Sequence, residues 1–251
     1  MNYTQEISEV YGKYLEDSRQ PKSTAKDTLL RISSVGSCLR QRAFEALKYQ
    51  ETNPIDKTTL IAFEIGNAIH EGIHEACQKA YSGQYELALD LELKTVSSFG
   101  FRLARDGLPK MAHVAQSALY AMACEVDELW IVYVAKQDSW RDKIKVGETL
   151  EWVISMDEEI PEWGMTPRQI AELEIGWFKS VQEDIAQGAL PVAFIPNDDG
   201  ELIHQEKPSP YGVPSKGGAW QCRYCRHNEL CSVLGGDEVT LDVARYHANL
   251  L

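Results

Sequence analysis

Glu86-Leu87-Ala88-Leu89-Asp90-Leu91-Glu92-Leu93-Lys94-Thr95-Val96 alternates with period two: leucine stands at positions 87, 89, 91 and 93, and Glu86, Ala88, Asp90, Glu92 and Lys94 fill the places between. Successive side chains of an extended chain point to opposite faces, so the stretch predicts a strand with one leucine face and one polar face. The polar face carries two carboxylates and an ammonium in a row. Such a row is the ordinary solvent face of a half-buried strand, and it is also what a metal-dependent hydrolase needs. A carboxylate holds a divalent cation, and a neighbouring lysine orients the attacking water and stabilises charge developing on a phosphate.

The pattern on either side of this strand is α/β. Upstream, Glu6 to Ser18 has helical spacing, ended by Pro21 and Ser23. Ser33-Ser34-Val35-Gly36-Ser37-Cys38 is a small-residue turn that opens a helix through Leu47. A further helix is predicted from about Thr58 through Cys77, with Ile61, Ile65, Ile69 and Ile73 on one face and His70 on the same element. Downstream, Leu108-Pro109 precedes a helix carrying His113, Gln116 and Tyr120, and four-residue spacing puts Gln116 and Tyr120 on one face. Glu128 to Ala135 reads as a buried strand, Thr149 to Met156 as a shorter one, and Thr166 to Gln187 as a helix terminated by Gly188 and Pro191. Asn197 to Gly218, rich in Pro, Gly, Ser and Asp, reads as a loop.

The chain has 251 residues, 44% hydrophobic and 25% charged, with 25 Lys and Arg against 38 Asp and Glu for a net charge of −13. This is a globular composition, which excludes disorder as the main state. No apolar run approaches the roughly 20 residues of a membrane helix, and the N-terminal residues lack a basic segment followed by an apolar one. A cytoplasmic chain outside the membrane is therefore expected. The acidic balance argues against a broad basic surface, so nucleic-acid binding would use a local cleft. Arg102, Arg105 and Lys110 are candidate cations for such a path, against the simpler reading of an exposed loop with solvated charges.

Cys38, Cys77 and Cys124 stand apart, whereas Cys222, Cys225 and Cys231 crowd together in a C-x2-C-x5-C pattern. In a chain expected to be cytoplasmic this spacing points to a metal or iron–sulfur centre rather than to disulfides. Three thiolates need a fourth ligand, for which Cys38, Cys77, Cys124 and His227 are the candidates. Four sulfur ligands suit either a tetrahedral Zn2+ or a [4Fe–4S] cluster. Cys38 sits at a helix start, where exposed N–H groups favour a thiolate. Trp220 and Tyr224, beside the cysteines, are expected to pack against the bound group.

Taken in order, the turn Ser33 to Arg40, the Gly66-x3-His70 helix, the Glu92-Leu93-Lys94 strand, the Gln116-x3-Tyr120 helix and the final cysteine cluster resemble the iron–sulfur members of the RecB-like nucleases. These include CRISPR-associated RecB-like exonucleases, their phage homologues and AddB-type nuclease domains. The resemblance runs from about Ile32 to Cys231. It implies a single domain over residues 1–251 with a restriction-endonuclease-like mixed sheet flanked by helices: an N-terminal capping helix in 1–30, a nuclease core in 31–196, and a loop, cysteine cluster and tail in 197–251. It implies a PD-(D/E)xK exodeoxyribonuclease acting on single-stranded or frayed DNA ends. His70 and Glu92 would hold Mg2+ or Mn2+, Lys94 would be the catalytic lysine, and Gln116 and Tyr120 would position DNA and lysine. Cys38 would join Cys222, Cys225 and Cys231 around [4Fe–4S], closing the C-terminal cysteine cluster on an N-terminal Cys. A helicase or another recombination or CRISPR protein is the implied partner. The family also has an aspartate on a strand before the Glu-x-Lys strand. Residues Glu75 to Tyr85 contain none, and Asp90, on the Glu92 face, is the candidate replacement. That departure keeps a second reading open, a catalytically degenerate nuclease fold that binds DNA or protein.

Overall fold

The computed structural model describes residues 11, 13–17, 31–81, 91–196, 201–204 and 220–251. Their elements in chain order are a 3-10 turn at Ile32–Ser34, α1 (Leu39–Ala46), α2 (Lys57–Tyr81), β1 (Leu91–Val96), α3 (Ser98–Arg105), α4 (Met111–Cys124), β2 (Glu128–Ala135) and β3 (Thr149–Ser155). They continue as α5 (Pro167–Ala186), β4 (Ala189–Leu190), β5 (Phe194–Pro196), β6 (Leu202–His204), α6 (Trp220–Arg223), α7 (Asn228–Leu234), β7 (Val239–Thr240) and α8 (Leu241–Ala248). The chain is mixed α/β and falls into two compact units, the first of residues 1–25 and 55–158 and the second of 26–54 and 159–251. Of the expected Glu6–Ser18 helix, residues 11 and 13–17 are helical and the rest lies outside the described residues.

In the first unit a mixed sheet has the order β1-β2-β3, with β1 parallel and β3 antiparallel to β2. A parallel pair needs a crossover connection, and α3 and α4 supply it. The register sets Glu92 beside Ile131 and Lys94 beside Tyr133. Leu93, Val132 and Val134 form a core on one face, joined by Leu91, Trp130 and Ile73 of α2. Gly66 lets α2 approach β1: a Cβ there would stand 3.0 Å from Thr95 Oγ1. The isoleucine face predicted for α2 is only partly covered, with Ile65 still 52% exposed.

Residues 98–105, read from sequence as exposed loop, form helix α3, which Ser97 caps by accepting from Gly100 N–H at 3.2 Å. It buries Phe101 and Ala104 and leaves Phe99 and Leu103 outside.

The second unit is built on α1, α5, α7 and α8, with Leu39, Phe44, Val181, Leu190, Leu230 and Leu241 in its core. Helix α5 begins with a capping box between Thr166 and Gln169 and a proline at its first position, the pattern its sequence announces. Part of the expected 197–218 loop is ordered as strand, since β6 pairs antiparallel with β5. Charged groups enter this core with their hydrogen-bonding capacity met. Arg40, fully buried, donates from Nε to Pro191 O at 2.8 Å, from Nη2 to Gly236 O at 3.3 Å, and to the carbonyls of Gly235 and Asp237. Arg42 Nη1 meets Glu174 Oε2 at 2.8 Å, and its guanidinium lies 4.4 Å from the centre of the Phe178 ring. Glu174 Oε1 also accepts from Gly36 N–H at 3.2 Å.

Removing one member of a buried ion pair leaves the other uncompensated. Glu174→Ala is therefore expected to lower the unfolding free energy by about 3–5 kcal/mol, read as a shifted urea midpoint, with Glu174→Gln costing less.

Candidate functional site

The polar face of β1 meets α4. Glu92 is 7% exposed, and its Oε1 lies 2.5 Å from Lys94 Nζ, which also donates to Gln116 Oε1 at 3.0 Å. Two-residue spacing on the strand brings carboxylate and ammonium side by side. Helix α4 delivers Gln116 to them, and one turn earlier the same helix face delivers His113. His113 Nδ1 lies 2.5 Å from the Tyr133 hydroxyl, which accepts from Lys110 N–H at 3.0 Å. The Tyr133 ring packs edge-on against His113 and Trp152. Burial, then the positive charges of Lys94 and Lys110, push the His113 imidazole down to about 3. It is therefore neutral beside the ammonium.

Of the residues expected at the site, the structure brings together Glu92, Lys94 and Gln116. Tyr120 lies one turn further along α4 and is 37% exposed. His70 is exposed on α2, and among the described residues no ion pair or hydrogen bond links it to Glu92. Asp90 lies outside the described residues. Arg102 and Arg105, expected along a DNA path, reach the β2–β3 connection: Arg105 Nη1 donates to Asp142 O at 3.0 Å, and Arg102 Nε lies 3.8 Å from Asp142 Oδ1. Sequence reasoning put His113 on the site's helix without giving it a role and did not connect Tyr133 to the site. The signal was the parallel register, which sets Tyr133 beside Lys94 and is invisible until β1 and β2 are paired.

The second unit holds a pocket enclosing about 400 Å³, including its solvent-open mouth, lined by Cys38, Cys222, Cys225 and Cys231 together with Phe44, Ile195 and others. Cys38 is the N-cap of α1. Of the other candidate fourth ligands, Cys124 is exposed at the end of α4 in the first unit, and the side chain of Cys77 lies outside the described residues. His227 is buried, with Nδ1 3.3 Å from Gln50 O and its ring against Phe44. The helix start does not make Cys38 a ready thiolate. The N–H groups of Gln41 and Arg40 reach it, but burial outweighs them and pushes the thiol up. Burial likewise raises Cys225 and Cys231 to about 12. Gln221, on the pocket wall, keeps its Oε1 buried without a hydrogen-bond partner. Tyr224, expected to pack on the cysteines, is 65% exposed. Among the described residues, no three His, Cys, Asp or Glu side chains are placed to hold one ion, and no helix is long and apolar enough to cross a membrane.

No known family and no curated protein matches the sequence. Among solved structures the chain is similar to one described as the crystal structure of SSO0001, at 15% identity and a TM-score of 0.46, covering 90% of this chain and 96% of that one.

His113 provides a test of the site's packing. An unfolded histidine takes up a proton near pH 6.5, whereas the folded one resists down to about pH 3. Its linkage is therefore silent above pH 6.5 and removes stability as pH falls from 6.5 towards 3, by up to about 1.4 kcal/mol per pH unit. The His113 ring resonances are expected to stay fixed from pH 8 to pH 5 in an NMR titration, and His113→Gln is expected to flatten the loss of stability over pH 6 to 4.5.

Proposed function

We propose that the chain is a metal-dependent exodeoxyribonuclease of restriction-endonuclease-like fold, hydrolysing phosphodiester bonds at single-stranded or frayed DNA ends and carrying a [4Fe–4S] cluster. The observation that carries the reading is Lys94, held between the Glu92 carboxylate and the Gln116 amide on the polar face of a strand. An exposed strand face would leave the lysine in water. A buried carboxylate, a lysine two residues on and a glutamine from the covering helix match the part of the RecB-like, PD-(D/E)xK donor set that follows the family's upstream aspartate, and support this reading.

Glu92 has the hard oxygen chemistry that Mg2+ or Mn2+ takes, but such ions need several oxygen ligands. The described residues supply this one; Asp90 would add a second carboxylate, and His70, as the resemblance implies, a ring nitrogen. A cation held there would neutralise charge on the phosphate and make a bound water more acidic. The chain's own groups do the rest. Lys94, fixed by Gln116, orients the attacking water and stabilises the negative charge that gathers as the P–O bond to the leaving sugar oxygen breaks. Neutral His113 and the Tyr133 hydroxyl buttress the helix face that presents Gln116. Tyr120, at the exposed end of that face, is suited to contact the strand of DNA.

In the second unit, four cysteines line one pocket and are the donor type of four-thiolate ligation, though they are not drawn together about one point; the choice of [4Fe–4S] over zinc rests on the resemblance to the iron–sulfur nucleases. The thiols' raised proton affinity means that binding such a centre releases protons and becomes tighter as pH rises.

End-labelled single-stranded DNA should be degraded in Mn2+ or Mg2+ and left intact in EDTA, with Lys94→Ala slower by about 100-fold or more, in line with loss of one preorganised stabilising group. A folded protein that binds DNA without Lys94-dependent cleavage would establish the binding-module reading instead. Protein purified anaerobically is expected to be brown and to contain iron, and Cys38→Ser is expected to lose most of that iron; zinc in its place would overturn the cluster.

A further inference from the structure

The connection from β2 to β3, residues 136–148, is not a slack loop. Ser139 and Ile144 exchange backbone hydrogen bonds, each 2.9 Å, across the tip Trp140-Arg141-Asp142-Lys143, and Ile144 is buried beneath it at 2% exposure. Ser139 Oγ donates to Asp142 Oδ2 at 2.7 Å and accepts from Asp142 N–H at 3.2 Å. Helix α3 pins the tip from the side through Arg105 to Asp142 O, and Gln137 Nε2 donates to Ser98 Oγ at 3.0 Å. The connection starts where the two parallel strands end, since Lys136 N–H donates to Val96 O at 3.0 Å.

On this rigid tip Trp140 is 89% exposed. A ring left in water on a preformed support contributes no burial to folding and is open to stack on a ligand. The hairpin's carboxylates are engaged by neighbouring groups: Asp138, itself exposed, accepts through Oδ1 from Val146 N–H at 2.6 Å and Glu148 Oε2 from Lys145 N–H at 3.1 Å, while Asp142 is held as above. Lys136, Arg141, Lys143 and Lys145 are exposed. Helix α3 adds a second exposed ring, Phe99 at 60%, with the Arg102 guanidinium 5.3 Å from its centre.

We propose that the Trp140 hairpin is a docking platform for single-stranded nucleic acid, with Trp140 stacking on a base and Arg141, Lys143, Lys145 and Lys136 taking the flanking phosphates. The occupant follows from charge complementarity. In a chain of net charge −13 this hairpin sets four exposed cations about an exposed ring, and its carboxylates are already hydrogen-bonded. Aromatic faces between backbone-tracking cations are how proteins grip single strands. The place also suits a strand bound for Lys94. Ligands of open α/β sheets bind outside the carboxyl ends of the strands, and backbone reach puts Trp140 within about 25 Å of Lys94. The choice of ligand rests on the nuclease reading, but the surface is distinct from the Glu92–Lys94 site.

The test uses the full chain in EDTA, where no cleavage occurs, and the anisotropy of a labelled 20-nucleotide thymidine oligomer. Trp140→Ala is expected to weaken binding about tenfold or more, with Trp140→Phe within a few-fold of the parent. Replacing Arg141, Lys143 and Lys145 together by Ala is expected to make the salt dependence of log Kd shallower by about two units. All these side chains are solvent-exposed, so the variants should melt with the parent. Unchanged affinity in the variants, or no binding by the parent, overturns the proposal. So does a Trp140-dependent association with anionic lipid vesicles or with a second copy of the chain in the oligomer's place. A chain that grips the oligomer through Trp140 but never cuts DNA overturns the nuclease reading alone. Cleavage with a KM unchanged in Trp140→Ala overturns this one alone.

Discussion

An ionised group taken out of water costs several kcal/mol unless a counter-charge and hydrogen bonds meet it, and this chain buries Arg40, Arg42, Glu92 and Glu174 to below a tenth of their surface. The way each is met fixes the parts of the fold that matter. In the second unit Arg40 closes on four carbonyls around Pro191 and Gly235 to Asp237, tying α1 to the segments that flank β4 and β7. Arg42 is matched by Glu174 of α5, whose other oxygen takes the N–H of Gly36, while Arg42 Nε donates to Ser37 O at 3.2 Å. Gly36 has φ +73, a conformation that glycine adopts without strain. The turn that aims Cys38 into the pocket is thus held by the same ion pair that makes the core electrically tolerable.

In the first unit the same constraint acts on the sheet's polar face. Glu92 under α4 is tolerable because Lys94 is beside it, and Lys94 is fixed because Gln116 accepts from it. A neutral imidazole is the right neighbour for that ammonium. A charged one would add a repulsion that buried surroundings do little to screen.

How much of this was legible in the sequence depended on the range of the interaction. The alternation around Glu92 and Lys94, the Gln116 helix and the Thr166-Pro167 cap are local signals, and β1, α4 and α5 appear where those signals put them. Helix α3 was missed because its eight residues include Gly100 and exposed apolar side chains at Phe99 and Leu103, which blur the helical period. The two-residue strands β4 and β7, and the β5–β6 pair, carry no periodicity at all and exist through pairing with distant segments. Cys38 was legible as a pocket residue from its turn, but its protonation was not. The helix N-terminus is a local signal, and burial, which outweighs it, is a tertiary one. Arg102 and Arg105 were legible as cations and not as clamps, because Asp142 lies 37 residues beyond Arg105.

The acidity of the whole chain and the basic character of one hairpin are compatible because they act over different distances. At physiological ionic strength the Debye length is about 8 Å, so carboxylates spread over a protein of this size contribute a weak field at any one surface point. A cation touching a phosphate is scarcely screened, and it releases a condensed counterion that long-range repulsion does not recover. Net charge then governs how readily a polyanion approaches the molecule at large, and the local arrangement governs where it stays. Asp138, Asp142 and Glu148 without their hydrogen-bond partners would weaken that advantage with no change in composition. Their bonds to backbone N–H groups and to Ser139 therefore shape the hairpin's chemistry as much as the lysines do.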